Sequence, residues 1–192
     1  MDKFSIGVVL LFLVSCGPAA NREIQPKSKV AVSETAPSGY NPEAKLQDLN
    51  IILRDQGTPM ANYVHAVKAG NLLFLAGKGP KQANGENIVG KLGAELSIEE
   101  GYAAARETAI NQLSVLKAEL GNLNKVKRIV KVKGMVNAVP DFTDHSKVIN
   151  GYSDLMVAVF GDAGKHARAA VGMGSLPGDM AVEVEMIVEV YE

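Results

Sequence analysis

The chain has 192 residues, of which 47% are hydrophobic, 21% charged and 5% aromatic, a size that fits one domain of ordinary length. Its 20 Lys and Arg residues against 21 Asp and Glu residues give a formal net charge of −1, which argues against a nucleic-acid partner because such proteins usually carry a basic excess. One cysteine excludes an intramolecular disulfide and a cysteine-cluster metal site, and three widely separated histidines argue against any metal centre.

The N-terminus carries the pattern of a bacterial export signal over residues 1–16. Lys3 precedes an apolar run that is too short to span a bilayer but matches the hydrophobic region of a signal peptide. The run ends in Leu13-Val14-Ser15-Cys16, which resembles the lipobox of bacterial lipoproteins. This resemblance implies lipidation of Cys16 and an exported envelope lipoprotein that contacts the membrane only through its lipid anchor. The alternative is a short core strand followed by a buried free thiol.

The lipoprotein interpretation also predicts where the chain resides. Gly17 rather than Asp follows the cysteine, so nothing in the sequence argues for retention at the inner membrane. We therefore expect the periplasmic side of the envelope, with the outer membrane favoured in a Gram-negative cell.

A tether is predicted between the lipid and the folded part of the chain. Residues 17–42 are rich in Lys, Ser, Thr, Pro and Gly and show little periodicity, which is typical of a flexible linker. Asn41 and Pro42 are suited to the N-cap and first position of a short helix. The domain is therefore expected at residues 43–192.

The first half of the domain is predicted to form a hairpin and a long helix. Residues 63–67 and 72–76 are apolar runs that predict two strands joined by a turn at a Gly-Asn pair. Ser97 and Glu100 have the spacing of a capping box, which predicts the start of a helix. Apolar residues then recur at steps of three and four until Gly121 ends the helix.

The second half adds a strand, a helix and two more strands. Residues 126–136 alternate between apolar and charged side chains, which predicts a strand with one solvated face. The side chains expected to point inward are Val126, Val130 and Val132. An amphipathic helix is predicted over residues 143–160, and strands over residues 167–173 and 180–191. Because strands and helices do not strictly alternate, the expected fold is α+β with helices on one face of a mixed sheet.

The last two strands carry the strongest chemical signal. Arg168 lies among small and apolar residues, so its guanidinium needs a partner, either inside the protein or on a ligand carboxylate that its planar fork would fit. Glu183, Glu185 and Glu189 alternate with valines and methionine on the final strand. A carboxylate row of this kind is either a solvated strand face or includes a catalytic group. The spacing does not determine which glutamate lies near Arg168.

Two blocks of sequence resemble the YjgF/Rid family of reactive intermediate deaminases, also named endoribonuclease L-PSP or translation initiation inhibitor. One is Tyr63-Val64-His65-Ala66-Val67 with Gly70-Asn71-Leu72-Leu73-Phe74-Leu75-Ala76-Gly77, and the other is Arg168-Ala169-Ala170-Val171 with Leu176-Pro177-Gly178 and Val182-Glu183-Val184-Glu185. The resemblance implies a chorismate-mutase-like (YjgF-like) α+β fold whose two main helices pack on one face of the mixed sheet. It also implies a homotrimer with ligand clefts between subunits.

The resemblance implies a role for each matching residue. Arg168 holds the substrate carboxylate, Glu183 positions and activates water, and Tyr63 lines the same cleft from the neighbouring subunit. Gly77 and Ala170 complete the substrate-binding set. The implied substrates are small carboxylate-bearing 2-imino acids or their enamine tautomers, which are hydrolysed to keto acids without a metal or cofactor, because an iminium carbon is already electrophilic.

Two departures from the family pattern keep other functions open. Ala76-Gly77-Lys78 stands where the family commonly has Ser-Gly-Gln, so a hydroxyl is lost and a cation is gained, and Ala170 stands where many deaminases have cysteine. The first alternative to a deaminase is a non-catalytic envelope module that binds a small carboxylate through Arg168. The second is an endoribonuclease, which the sequence favours less because it shows neither a catalytic histidine pair nor a basic excess.

Overall fold

The computed structural model describes residues 36–59 and 61–191, and the predicted signal peptide with Cys16 lies outside them. In chain order the helices and strands are α1 (Pro42–Asp48), β1 (Ala66–Ala69), β2 (Leu72–Lys78), α2 (Ile98–Leu120), β3 (Val126–Asn137), α3 (His145–Phe160), β4 (Ala167–Met173) and β5 (Val182–Val190). No helix within the described ranges is long and apolar enough to cross a membrane.

The helix ends follow the predicted capping residues. The Asn41 side chain accepts a hydrogen bond from Ala44 N–H at 3.1 Å and so caps α1. At the start of α2, Ser97 Oγ accepts from Glu100 N–H at 3.2 Å while the Glu100 carboxylate accepts from Ser97 N–H at 2.8 Å. Gly121 ends α2 with a left-handed φ of 72°. The predicted capping box is therefore confirmed.

The strands form one mixed sheet in the order β1-β2-β5-β3-β4. All neighbours are antiparallel except β3 and β4, which are parallel and joined through α3. Helices α2 and α3 pack on each other and cover one face, where the core residues lie. The predicted α+β architecture is confirmed, although the first hairpin strand begins at Ala66, so Tyr63 and Val64 precede it and are exposed.

The predicted alternation along β3 is wrong at one position. The register between β3 and β5 shifts twice, between Val126 and Arg128 and between Ile129 and Lys131. Each irregularity adds a residue and reverses which side chains face the core. As a result Val126, Ile129 and Val132 are buried, and Ile129 takes the inward position predicted for Val130.

Candidate functional site

Glu183 lies on the face of the sheet opposite the helices. Val182 and Val184 on either side of it are fully buried beneath the helices, so the alternation of strand β5 directs Glu183 the other way. Partial burial raises the pKa of Glu183, the neighbouring Glu185 carboxylate raises it further, and Lys133 opposes both. The carboxyl group therefore exchanges a proton closer to neutral pH than an exposed glutamate does.

Gly77 allows the Glu183 carboxylate to lie directly against strand β2. The pairing of β2 with β5 is interrupted between Leu75 and Lys78, and Gly77 is located in this interruption. A Cβ atom on residue 77 would overlap Glu183 Oε1. Any residue other than glycine must therefore displace the carboxylate or bend the strand.

Gln112 of α2 connects the two strands at this interruption from the core side. Its Nε2 donates to Ala76 O at 3.0 Å and to Val184 O at 2.8 Å, which bridges β2 and β5 where their ladder is broken. The Gln112 side chain is fully buried, and its Oε1 has no hydrogen-bond partner within the described chain. Sequence reasoning missed this residue, although a polar side chain at an inward-facing position of an apolar helix is a detectable signal.

Gly77 also lines a cavity of about 360 Å³. Tyr63, His65 and Lys78 contribute to its lining. Tyr63 and Gly77 therefore share a cavity within one chain, whereas the resemblance implied that Tyr63 comes from the neighbouring subunit. We call Tyr63, Gly77, Lys78 and Glu183 the Glu183 half-site.

The contacts of His65 indicate its tautomer. Nε2 lies 3.0 Å from Gly57 O, which can only accept, so Nε2 carries the hydrogen and Nδ1 accepts from Lys78 Nζ at 2.9 Å. Burial and the neighbouring Lys81 lower the pKa of Lys78. His65 thus positions an amine at the cavity. Nowhere in residues 36–59 or 61–191 do three or more His, Cys, Asp or Glu side chains form a potential metal site.

Arg168 and Ala170 face the helix layer instead. Arg168 is in register with Val132, which is fully buried under the helices, and Ala170 packs against the core. Arg168 Nη1 donates to Asn150 Oδ1 at 2.9 Å and to Ser153 Oγ at 3.0 Å, both on α3. The guanidinium therefore has partners inside the protein, which was one of the two alternatives that the sequence left open.

Those partners leave the charge of Arg168 uncompensated. Both are neutral, and no ion pair within the described ranges includes Arg168. His166 Nδ1 donates a hydrogen bond to Gly164 O at 2.7 Å, so Nε2 is free to accept one from Ser153 Oγ at 3.0 Å. Burial lowers the pKa of His166, and the nearby positive charge of Arg168 lowers it further. The hydrogen bond to the Gly164 carbonyl opposes these two effects only in part. The ring is thus neutral, and the guanidinium retains capacity for a ligand carboxylate.

One chain does not bring all the predicted site residues together. Glu183 lies against Gly77 on the outer face, and Gly77 shares a cavity with Tyr63, while Arg168 and Ala170 lie on the helix side of the edge strand β4. Strand β3 separates β4 from β5. One protomer therefore supplies two half-sites on opposite faces of the sheet, and the cleft between subunits that the resemblance implies stays a prediction. The sequence could not show this because it gives no register between the strands.

Comparison with known proteins identifies one family. Residues 43–190 match the family described as "YjgF/chorismate mutase-like, putative endoribonuclease". The chain is 47% identical over 147 residues to Protein TCP17 of Trypanosoma cruzi, covering 76% of this chain and 92% of that protein. It is 32% identical over 130 residues to a RutC family protein of Pyrococcus horikoshii, covering 67% and 87%. A crystal structure of a putative endoribonuclease from Shewanella oneidensis superposes with a TM-score of 0.75 at 30% identity, covering 78% of this chain and 99% of that one. The chain therefore belongs to the YjgF/chorismate-mutase-like family.

Proposed function

We propose that this protein hydrolyses reactive 2-imino acids, or their enamine tautomers, at a cleft that two protomers share. The observation that carries the proposal is the Glu183 carboxylate, which is half-buried, has a raised pKa and lies against Gly77, a residue that lines a cavity. A carboxylate in this state can take a proton from water and later return it. Arg168 of the second protomer would hold the acid group of the substrate.

The proposed reaction needs only these two groups and water. As the water oxygen bonds to the iminium carbon, its proton passes to Glu183 and the carbon–nitrogen π electrons return to nitrogen, which gives a carbinolamine. Glu183 then returns the proton to the amine nitrogen. The carbon–nitrogen bond breaks as the hydroxyl gives its proton to Glu183, which then releases it to solvent, and the products are ammonia and the keto acid. Arg168 contributes orientation rather than proton transfer.

The sharing of the cleft follows from the separation of the two half-sites. Strand β4 is a sheet edge, so the helix side of Arg168 is accessible to a second copy of the chain. The face that carries Glu183 leaves large apolar side chains exposed, among them Phe74 at 41% and Val171 at 39%. Apolar groups on this face favour contact with another protomer. A homotrimer with three equivalent clefts is the arrangement we propose.

An ammonia-release assay tests the enzymatic proposal. 2-Iminopropionate is generated in situ from alanine with an amino-acid oxidase, and the rate above buffer is measured because the imine also hydrolyses spontaneously. We expect a clear excess with the wild-type protein. No excess, together with Arg168-dependent binding of a keto acid, would replace the enzyme with the alternative function, a carboxylate-binding module. Two features of the sequence favour this alternative. Ala76 stands where the family commonly has a serine hydroxyl, and Lys78 adds a cation.

We also propose that the protein acts at the cell envelope as a lipoprotein. The proposal rests on the Leu13-Val14-Ser15-Cys16 junction of the sequence. Cys16→Ser should abolish labelling by a radioactive fatty acid and leave the chain unprocessed or soluble. Membrane partitioning of a processed Cys16→Ser protein at the wild-type level would rule out the lipid anchor.

A further inference from the structure

A second cavity lies at the carboxyl ends of the parallel strands β3 and β4. Its volume is about 520 Å³, and its lining contains none of the residues assigned to either half-site. One wall is apolar and includes Val139, Pro140, Phe142 and Met173. Lys91 and His145 supply its ionisable groups, and no acidic side chain lines it. The crevice beyond the carboxyl ends of parallel strands is a frequent ligand position in α/β sheets.

His145 is held at this cavity by packing rather than by hydrogen bonds within the described residues. Its ring meets the ring of Phe142 edge-on, with centroids 5.3 Å apart and an interplanar angle of 86°. It also covers Gly172, where a Cβ atom would collide with His145 Nε2. In the described part of the chain, the histidine-ring hydrogen bonds belong only to His65 and His166. Packing fixes the His145 imidazole, and neither nitrogen has a protein partner there.

Lys91 is fixed at the other side of the cavity by neutral acceptors. Its Nζ donates to Asn137 Oδ1 at 3.1 Å and to Gly174 O, which joins the ends of β3 and β4. Asn137 Nδ2 donates in turn to Asp179 at 2.8 Å, so that carboxylate is engaged by the amide. An ammonium has three donors, and one remains available to a ligand. No ion pair among the described residues neutralises Lys91.

We propose that this cavity binds a small organic carboxylate with an apolar body. The carboxylate would accept from Lys91 and from a ring N–H of His145, and the body would pack on Phe142 and Met173. The N-terminus of α3, which begins at His145, adds positive potential. A cavity lined by two basic side chains and several apolar ones, with no lining acid, selects this chemistry over a neutral or cationic ligand.

This site is separate from the one proposed for imine hydrolysis. Arg168 and Gly172 face the same side of β4 but are four residues apart, which is about 13 Å along a strand. A three-carbon imino acid is too short to contact both. The inference therefore extends beyond the proposed function, and binding here should not depend on Glu183 or Arg168.

NMR titration of the full chain with phenylacetate tests the site. With methionine methyl groups labelled, we expect saturable shifts of the Met173 methyl and the His145 ring signals. The uncharged isostere phenylacetamide should shift them much less at equal concentration. Glu183→Gln should leave the phenylacetate titration unchanged, which separates this site from the hydrolytic proposal.

Two variants and a matched control identify the contacts. Lys91→Met should weaken phenylacetate binding at least 10-fold, the effect of losing one charge-assisted hydrogen bond. Because Lys91 also joins the strand ends, His145→Leu provides a second variant. It removes the ring donor and should weaken phenylacetate binding. Lys147→Met, at an exposed lysine of the same helix terminus, should bind like wild type. Equal shifts with the amide, or full affinity in both Lys91→Met and His145→Leu, would overturn the site.

Discussion

Glu183 and Arg168 share one physical property: each is partly buried without an ion-pair partner in the described part of the chain. Lys133 pairs with Glu185 rather than with Glu183, at 3.5 Å. Groups in this condition cost folding free energy, because desolvation of the charge is not repaid by an opposite charge. Such residues are candidates for chemistry rather than for stability.

Glu183→Gln should reduce turnover of 2-iminopropionate by roughly 10²–10⁴-fold while binding is largely kept, since the shape remains but the base is lost. The wild-type rate should rise with pH through the raised pKa of Glu183, because the carboxylate form accepts the proton. The matched control is Glu185→Gln, which should retain turnover and move this rising limb to lower pH, because Glu185 raises the pKa of Glu183. Unchanged turnover in Glu183→Gln would remove the base from the account.

Glu183→Gln should stabilise the folded protein, although it reduces turnover. A carboxyl group with a raised pKa in the folded state binds its proton more tightly there than in the unfolded chain, so its contribution to stability is lost as pH rises through the folded pKa. Glu183→Gln should therefore increase the free energy of unfolding at pH 7 and change it little at pH 3. Urea unfolding at the two pH values measures the difference.

Arg168→Ala should weaken apparent substrate binding by roughly 1.5–3 kcal/mol, the loss expected for a charge-assisted contact. Arg168→Lys keeps the charge but not the fork and should recover only part of the affinity. Arg128→Ala, at an exposed arginine of β3, should behave like wild type. Equal KM values for wild type and Arg168→Ala would show that the guanidinium serves only its contacts with Asn150 and Ser153.

At the scale of single elements, the interruption between β2 and β5 connects the core to the Glu183 half-site. Gln112 supplies donors to both strands from the core, and the two carbonyls it binds determine the orientation of its amide. Gly77 then presents bare main chain to Glu183 on the opposite face. We therefore expect the position of the carboxylate to depend on Gln112, which acts through the two strands.

Gln112→Leu should lower the free energy of unfolding by about 1–3 kcal/mol because it leaves the Ala76 and Val184 carbonyls without their side-chain donor. It should also change the pKa of Glu183, measured by NMR titration. Thr108→Val is the control, since Thr108 is buried on the same helix but its hydroxyl binds only Ala104 O at 3.0 Å. A Glu183 titration identical to wild type would limit Gln112 to a role in stability.

Elements were predictable where local chemistry determines them. Ser97, Glu100 and Gly121 mark the ends of α2 by hydrogen bonding and backbone geometry that need no distant partner. The orientation of the Ile129 side chain toward the core was not predictable, because the register shifts between β3 and β5 determine it. Glu183 was named as a site residue through the family resemblance, whereas its separation from Arg168 within one chain depends on strand order and register, which the sequence does not give.

At the scale of the whole molecule, topology separates the two halves of the proposed site. The parallel connection through α3 makes β4 an edge strand and leaves Arg168 at the border of the sheet. Strand β5, with Glu183, lies in the middle and presents it on the opposite face. Only an assembly of copies can bring an arginine of one protomer to the glutamate of another. The proposed activity therefore depends on the assembly of protomers as much as on Arg168 and Glu183.

Co-expression of Arg168→Ala and Glu183→Gln tests this claim most directly. At substrate concentrations well below the wild-type KM, each variant alone should show only a small fraction of wild-type turnover, Glu183→Gln because the base is lost and Arg168→Ala because the substrate binds weakly. In randomly mixed oligomers, about a quarter of shared clefts combine an intact Arg168 from one protomer with an intact Glu183 from its neighbour, so about a quarter of wild-type activity should return. Activity that stays at the level of the single variants, in oligomers shown by mass spectrometry to be mixed, would contradict the shared cleft.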